Sequence, residues 1–471
     1  MRSYYLILLV FLSILVPCVG AGQSESARVY VRRIEFQGTE GIADAVLRRE
    51  LLLLEGTFLN TVALEQSRLQ LERLPYVESA QVFLQPVDGA LNQVDVLMVI
   101  TQGPARTYGG GGGYSESQRV SVHGFFTHEN IFGTGQRFSA SANVSEFRTL
   151  AELSHTDPFL GSARVSRTLS LGSRQVDRLT ADTTEVEADL ASARLEFGYR
   201  TGEHQAIALG LTFNDVDLTT GSPVSDQWLD WVQGNGNPTI QGSAFATDFR
   251  SAEFLLRWRE DTRDAGVFPD RGFERSVTLR SAIPGSEVEY YAIDYELTKH
   301  WPLTGQWEAR LDARLGYGAA YGSATSSLPP YLNWFAGGPN SVRGYREGGL
   351  GPRDSLGNPY GGSLFVSSQF ELMMPLPEKW RERMRLGIFY DTGSVFSTED
   401  VAFVDGAGRS LDYGFDFSRL RQSAGISARV LMPIGLLRLS YGVPLNADDE
   451  HPNPFLRDDT ERFQITIDVD F

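Results

Sequence analysis

Apolar and polar side chains alternate along the last ten residues of the chain, 462–471. The odd positions there are Phe, Ile, Ile, Val and Phe, while the even positions are polar or charged. A period of two residues is typical of a β-strand that turns one face to an apolar environment and the other to water. The same alternation recurs upstream, in the segments 193–199, 253–259, 293–297 and 307–317. This repetition predicts a sheet with one apolar face and one charged face.

The connections between these predicted strands differ in length in a regular way. Short connections fall near 200–203, 302–305 and 433–435. Long connections fall near 174–190, 218–246, 321–360, 392–420 and 443–461. Barrels of outer membranes have short turns on one side and long loops on the other, and we expect this chain to alternate strictly, which a soluble sandwich or propeller has no reason to do. We therefore predict a mainly β fold, with about sixteen antiparallel strands forming a transmembrane β-barrel over residues 106–471.

A different pattern marks residues 28–102. Apolar positions there predict a strand at 29–36, two helices, and strands at 77–85 and 94–100, in the order β-α-α-β-β. Gly103-Pro104 then interrupts the pattern. The sequence thus predicts one small mixed domain ahead of the barrel.

The first residues, 1–21, have the features of a secretory signal peptide. Arg2 gives a positive start, residues 4–16 are almost entirely apolar, and 19–21 supply the small residues that a signal peptidase needs. The only cysteine, Cys18, lies in this segment, so we expect neither disulfides nor cysteine-bound metals in the mature chain. No other apolar run approaches the roughly 18 residues of a spanning helix. The formal net charge of −17 argues against nucleic acid as a partner.

The long loop at 321–360 holds the most conspicuous candidate site. Its segment 334–345 is rich in glycine, which permits tight turns, and Arg343 lies among these glycines. A phosphate-binding loop is a weak alternative, because the segment has neither a strand-to-helix context nor a Gly-Lys-Ser/Thr sequence. Strand parity places Glu371 and Asp391 on the inner face of neighbouring strands. An inward-folded loop could bring the guanidinium of Arg343 to both carboxylates, although lumen charges of this kind can also simply face water.

These residues resemble a known family, the BamA/TamA-type outer-membrane insertase superfamily (bacterial surface antigen barrels), whose relatives include the two-partner secretion translocators. Val342-Arg343-Gly344-Tyr345 looks like the signature of the family's sixth loop, and Glu371 and Asp391 match the acids that anchor that loop. Residues 28–102 resemble a polypeptide-transport-associated (POTRA) domain, and 31–38 is similar to the membrane-proximal POTRA domain of the BamA branch. The resemblance covers essentially the whole mature chain.

The resemblance implies a factor that folds and inserts β-barrel clients in the outer membrane of a Gram-negative bacterium, with its POTRA domain in the periplasm. The implied partners are unfolded outer-membrane β-barrel proteins, the lipid bilayer with its lipopolysaccharide, and periplasmic chaperones or assembly lipoproteins. The chain departs from the family in one respect, since it has room for only one POTRA domain between signal and barrel. A polypeptide-secretion translocator and a passive outer-membrane pore are the alternatives.

Consecutive glycines occupy the first predicted barrel strand, at Gly109, Gly110, Gly111, Gly112 and Gly113. Glycine in a strand adds no side-chain packing and costs backbone entropy. We therefore expect the weakest seam where this strand meets the last one, at Ile467, Val469 and Phe471. An open seam would expose unpaired backbone, which is very unfavourable in lipid, and would accept the edge of a client strand. Alternatively, the glycines make room for bulky contents of the lumen.

Sequence motifs of enzymes are missing from the chain. The six histidines are scattered, and neither His-Glu-x-x-His nor Gly-x-Ser-x-Gly occurs. We expect no catalytic residues, no metal site and no cofactor.

Overall fold

The computed structural model describes residues 29–90, 92–161, 164–323, 325–433 and 435–468. The expected signal peptide, 1–21, lies outside the described residues, as do Val469 and Phe471. The chain divides into two compact units. One contains the described residues up to Glu40 together with Asp44–Gly103, and the other contains Gly41–Ala43 and the residues from Pro104 onward.

The smaller unit is a three-stranded sheet with two helices. Its elements are Tyr30–Gln37 (β1), Asp44–Arg48 (α1), Thr61–Glu72 (α2), Val77–Pro86 (β2) and Gln93–Gln102 (β3). The central strand is β3, with β1 parallel and β2 antiparallel to it. Val96, Met98 and Ile100 alternate along β3 and are buried, as are Leu47 of α1 and Leu71 of α2. The β-α-α-β-β order predicted from the sequence is confirmed.

The larger unit contains a closed barrel and the short strands packed with it. Its strands are Arg106–Ser115 (β4), Arg119–Ile131 (β5), Gln136–Ser145 (β6), Arg148–Asp157 (β7), Val165–Val176 (β8), Val186–Arg200 (β9), Gln205–Thr220 (β10), Asn237–Gln241 (β11), Ala244–Asp261 (β12), Gly272–Ala282 (β13), Tyr290–Pro302 (β14), Glu308–Ala320 (β15), Gly344–Tyr345 (β16), Leu364–Met373 (β17), Met384–Phe396 (β18), Arg421–Met432 (β19), Gly435–Pro444 (β20), Thr460–Glu461 (β21) and Phe463–Asp468 (β22). Its connections contain the helices Asp226–Gly234 (α3) and Glu378–Arg381 (α4), and 3-10 turns at Thr304–Gln306, Pro330–Leu332, Phe417–Arg419 and Pro454–Leu456. Within the described residues we find no helix with both the length and the apolar character needed to cross a bilayer.

Each wall strand pairs antiparallel with its neighbours along the chain, and β22 pairs with β4 to close the ring. β11 is a short strand paired with β12, while β16 and β21 pair with each other. The remaining sixteen strands of the described chain form the wall. The predicted 16-stranded antiparallel barrel, which follows a small mixed domain in the sequence, is therefore confirmed.

The outer face of the wall is apolar and the inner face is charged. Exposed apolar side chains occur on strand after strand, among them Leu171, Phe197, Phe213, Phe254, Ile293, Leu315, Phe370, Ile388 and Ile426. On the inner face, Arg280 Nη2 lies 3.0 Å from Asp294 Oδ2, and Arg310 Nη2 lies 2.8 Å from Asp312 Oδ1. An apolar band of this extent would be unusual on a soluble monomer. It fits the lipid-facing side of a membrane barrel.

The connections lie at two ends of the barrel, which we call the turn end, where β4 begins, and the loop end. Long connections at the loop end are 177–185, 221–243, 321–363, 397–420 and 445–462. Short connections at the turn end are 132–135, 201–204, 303–307 and 433–434. These sets agree with the difference in length that the sequence indicated.

Strict alternation of connection length is nevertheless wrong. Two connections at the loop end, 116–118 and 146–147, are as short as the connections at the turn end. The connection 262–271, at the turn end, is longer than both. Local hydrogen bonding closes the first of these turns, because Gln118 N donates to Ser115 Oγ (3.1 Å). The length of a hairpin connection follows from such turn chemistry rather than from the side of the membrane on which it lies.

We call the contact between β4 and β22 the seam. Within the described residues, Ile467 opposite Tyr114 is the only residue pair in its register, whereas β22 pairs with β20 along its whole described length. A Cβ atom on Gly113 would lie 2.8 Å from the carbonyl oxygen of Ile467. A Cβ atom on Gly112 would lie 3.8 Å from its nearest neighbour, the carbonyl oxygen of Ser121. The close approach of the two strands therefore requires glycine at position 113 and not at position 112.

We expect Gly113→Ala to weaken closure of the barrel, because the added methyl group would press on the Ile467 carbonyl. Gly112→Ala adds the same group where there is room for it and serves as the matched control. The measurement is the temperature at which the detergent-solubilised barrel loses its compact band on cold SDS gels. A transition temperature below that of the parent is expected for Gly113→Ala alone. Equal temperatures for the two variants would contradict the steric argument.

Candidate functional site

The connection between β15 and β17, residues 321–363, is called loop six below. Val342 and Tyr345 of this loop have no exposed surface, and they pack with Phe365 of β17 and Val395 of β18. Both wall residues share strand parity with the inward-facing acids of the same strands. Loop six therefore folds inward and lies against the inside of the wall.

Arg343 of loop six binds two carboxylates of the wall. Its Nε and Nη2 atoms donate to Oδ2 and Oδ1 of Asp391, both at 2.7 Å, and its backbone N also donates to Oδ2 (3.0 Å). Nη1 donates to Oε1 of Glu371. The exposed fractions are 5% for Arg343, 2% for Glu371 and 0% for Asp391. A planar guanidinium with two donor edges suits this double pairing, whereas the ammonium of lysine would act as a point charge.

Further side chains complete this charged site. Arg429 Nη2 donates to Glu371 Oε2 (2.5 Å), and Arg310 Nη1 lies 3.8 Å from the same oxygen. The guanidinium of Arg343 also lies 3.6 Å from the ring centroid of Phe389, within the range of a cation–π contact. The sequence analysis missed the roles of Arg429, Arg310 and Phe389. Register would have found two of them, because Glu371 lies opposite Arg310 on one side and opposite Phe389 on the other.

Glycines allow the loop to approach the wall at the signature itself. Gly344 has a φ of +90°, which favours glycine, and a Cβ atom there would lie 3.1 Å from the carbonyl carbon of Gly442 in β20. A Cβ atom on Gly442 would lie 2.8 Å from Gly344 N. The next residue, Tyr345, donates its hydroxyl to Gln422 O (3.2 Å). The segment Val342 to Tyr345 therefore contacts the wall through side chains and backbone alike.

The structure separates the predicted site residues into two groups. It brings Val342, Arg343, Gly344 and Tyr345 together with Glu371 and Asp391, as described above. It places the glycines Gly109, Gly110, Gly111, Gly112 and Gly113 on β4, at the seam with Ile467. Gly109 differs in role from Gly113, because a Cβ atom there would lie 2.8 Å from the ring of Phe125. Glycine at position 109 thus makes room for a side chain of the adjacent wall strand β5.

Three carboxylates meet at the loop end beside the seam. Glu461 of β21 has Glu116 of the first hairpin turn and Glu347 of loop six as neighbours, with Arg346 close by. Burial, followed by the interaction with Glu116, raises the pKa of Glu461 from its usual 4.5 to about 8, against the opposing charge of Arg346. Asp182 and Arg119 line the same depression. The carboxyl of Glu461 therefore holds its proton more tightly than an exposed glutamate does.

We expect Arg343→Ala to lower the free energy of unfolding by about 3–5 kcal/mol, because it leaves the buried carboxylate of Asp391 without its guanidinium and removes one of the cationic partners of Glu371. Arg346→Ala is the matched control. The Arg346 side chain is 45% exposed and pairs with Asp182 (3.0 Å), and such surface pairs contribute about 0–1 kcal/mol. Urea unfolding in detergent micelles measures the free energy of unfolding of the parent and of both variants. The anchoring role is wrong if the two variants are equally stable.

Stability should also depend on the protonation of Glu461. Its folded-state pKa is raised, so the folded barrel binds this proton more tightly than the unfolded chain does. That contribution is present below pH 4.5 and is lost as the pH rises to about 8. We expect the thermal unfolding temperature of the parent to fall as the pH rises across this window. The unfolding temperature of Glu461→Gln, whose side chain stays neutral, should fall less. Superimposable pH profiles of parent and variant would contradict this assignment.

Two family models match the chain. The Omp85 superfamily domain matches residues 130–471, and the POTRA model, described as surface antigen variable number repeat, matches residues 29–103. The outer membrane protein assembly factor BamA of Neisseria meningitidis serogroup B is 27% identical over 94% of this chain and 57% of the relative. The chloroplastic outer envelope protein 80 of Arabidopsis thaliana is 23% identical over 80% of this chain and 48% of the relative. The chain thus spans about half the length of the curated relatives it matches.

Solved structures give a corresponding result. BamA from Haemophilus ducreyi lacking POTRA domains 1-3 superposes with a TM-score of 0.80 at 25% identity, over 93% of this chain and 84% of that chain. CdiB from Acinetobacter baumannii has a TM-score of 0.55 at 13% identity, over 94% of this chain and 74% of that chain, and shares the fold alone. Because the superfamily domain accounts for most of the sequence, from residue 130 onward, this chain belongs to the Omp85 superfamily.

Proposed function

We propose that this protein folds and inserts β-barrel proteins in the outer membrane of a Gram-negative bacterium. The barrel crosses the membrane, its loop end faces outward, and the POTRA domain lies in the periplasm. Membership of the Omp85 superfamily supports the proposal, as does likeness to relatives named outer membrane protein assembly factors. The substrates are unfolded outer-membrane β-barrel chains.

The seam is the observation that carries this proposal. Its described register is one residue pair, Ile467 with Tyr114. Separating β4 from β22 exposes backbone N–H and C=O groups, which hydrocarbon cannot satisfy. A strand of a client can satisfy them by pairing with the exposed edge, as in other cases of β-augmentation. The seam then acts as the template on which a client strand forms.

Loop six acts as a strut in this mechanism. Arg343 joins it to β17 and β18 through Glu371 and Asp391. A charge pair buried at this depth is costly to break, because each partner would remain without compensation. The strut keeps that part of the wall in one shape while the seam, separated from β18 by β19 and β20, opens and closes.

The POTRA domain offers client strands a second edge. Its sheet order, β1-β3-β2, leaves β1 and β2 at the two edges of the sheet. The segment 56–59 already bonds to β1, with Val31 N donating to Thr57 O (2.9 Å), so β2 is the edge that clients would use. Unfolded clients in the periplasm can pair with such an edge before they reach the seam. Periplasmic chaperones or assembly lipoproteins deliver the clients, and the lipopolysaccharide of the outer leaflet surrounds the barrel. The protein works by binding and by change of shape, without chemical catalysis.

A passive pore is disfavoured by the packing at the loop end. A buried apolar cluster there unites residues of β8 to β10 and β12 to β14 with α3, loop six and the connection 397–420. Its large members include Trp228, Trp231, Phe249, Tyr331, Tyr360 and Phe403. A solute channel requires a wet polar lumen, and the buried apolar side chains of this cluster do not suit one.

A reversible lock on the seam tests the proposal. Tyr114→Cys with Ile467→Cys places two thiols on opposing residues, in a chain whose Cys18 is replaced by serine. The protein is reconstituted in liposomes with an unfolded β-barrel client, and protease-resistant folded client is measured over time. We expect faster folding than in empty liposomes, loss of that acceleration on oxidation, and recovery with reductant.

A second disulfide away from the seam provides the control. Ser139 and Ser154 lie opposite each other on β6 and β7, with their hydroxyl oxygens 2.7 Å apart. The pair Ser139→Cys with Ser154→Cys should form a disulfide and leave client folding unchanged. Full activity of the oxidised seam variant would refute the opening of the seam. Equal loss in the control would show that oxidation acts by another route.

A further inference from the structure

Loop six contacts the last wall strand as well as β17 and β18. The side-chain amide of Gln464 in β22 donates to the carbonyl oxygen of Tyr345 (Nε2 to O, 2.6 Å) in a buried contact. Arg346 donates its backbone N–H to Asp459 O (2.8 Å), just ahead of β21. The strands β16 and β21 pair with each other. Loop six is thus attached to the segment that leads into β22.

The same loop contacts the first hairpin of the wall through one side chain. The carboxylate of Glu347 accepts two hydrogen bonds from Ser117, at Oε2 from the backbone N (3.0 Å) and at Oε1 from the hydroxyl (2.8 Å). Ser117 lies in the turn between β4 and β5. Hydrogen bonds to an ionised carboxylate are roughly twice as strong as neutral ones. Glu347 therefore ties the first hairpin to loop six.

The register shows why a tie is needed at this end of the seam. β4 ends at Ser115, one residue after Tyr114. Because Ile467 lies opposite Tyr114, residues 463–465 of β22 extend past the end of β4. There the chain of the first hairpin turns away, and Gln464 bonds to loop six. Loop six thus contacts β22 from inside the barrel, through the side chain of Gln464, where the first strand has already ended.

We propose that Glu347 is a positioning residue that holds the loop end of the seam closed. Tyr345 contacts the side of the seam formed by β22, and Glu347 contacts the side formed by the first hairpin. We call these two contacts of loop six the clasp. Release of Glu347 from Ser117 breaks this contact between the hairpin and loop six and leaves the Arg343 anchor in place. The hairpin then keeps its hydrogen bonds to the connection 177–185, from Ala181 N to Ser117 O (2.9 Å) and from Gln118 Nε2 to Leu179 O (3.1 Å). The inference rests on the proposed function and deepens it. With Glu347 in place, the loop end of the seam stays closed.

The opening of the seam can be measured directly between two spin labels. Val120 of β5 is 64% exposed and Phe463 of β22 is 58% exposed, so labels on cysteines at these positions lie on the outer face on either side of the seam. The chain carries serine in place of Cys18 and is reconstituted in lipid nanodiscs without client. Double electron–electron resonance then gives the distribution of distances across the loop end.

We expect Glu347→Ala to raise the ratio of long to short distances about tenfold, which corresponds to about 1.4 kcal/mol. Glu347→Gln keeps one acceptor oxygen and should give an intermediate ratio. Ser117→Ala removes one of the two donors, and its effect should disappear in the Glu347→Ala background, because both changes act on one contact. These graded effects separate positioning from a general loss of stability.

Glu287→Ala is the matched control. Glu287 also lies in a connection at the loop end and accepts a hydrogen bond from a backbone N–H, that of Arg250 (2.6 Å), away from the seam. Its removal should leave the distances unchanged. Distances in Glu347→Ala that superimpose on those of the parent would overturn the clasp. A wider seam in Glu347→Ala with unaltered client folding would support the clasp and count against the proposed role of the seam in insertion.

Discussion

Backbone hydrogen bonding in lipid is the constraint on which this structure depends. Hydrocarbon offers neither donors nor acceptors, so a strand edge within the membrane must pair with another strand. The sixteen wall strands of the described chain meet this requirement by closing into a ring. At the closure, Ile467 opposite Tyr114 is the described strand pair, and loop six adds contacts on both sides through Gln464 and Ser117. Contacts from loop six thus reach both strands beside the closure.

The buried charges of Arg343, Glu371 and Asp391 give loop six a fixed position inside the barrel. Burying an unpaired charge is unfavourable, so this arrangement is stable only while the loop stays where its guanidinium reaches both acids. The same loop carries Tyr345 and Glu347 a few residues further on, and these residues contact the two edges of the seam. Through this short segment, the anchor in the wall sets the geometry of the closure.

Parity and register differ in how far they can be read from a linear pattern. The alternation of side chains fixes which face of a strand each residue occupies, so it indicates the barrel and assigns Glu371 and Asp391 to the inner face. It does not give the offset between neighbouring strands, which places Arg310 and Phe389 on either side of Glu371. Connection lengths were a less reliable guide, because the turn at 116–118 is closed by local hydrogen bonds whichever side of the membrane it faces.

The order of residues was sufficient for the fold class and for the chemistry of the signature, because periodicity, glycine and charge act over a few neighbouring positions. The contacts between Glu347 and Ser117 and between Tyr345 and Gln464 join positions more than 100 residues apart. Such contacts exist only after sixteen strands have closed with a definite stagger. Stagger is set jointly by the packing and hydrogen bonding of every strand, and no local pattern in the chain encodes it.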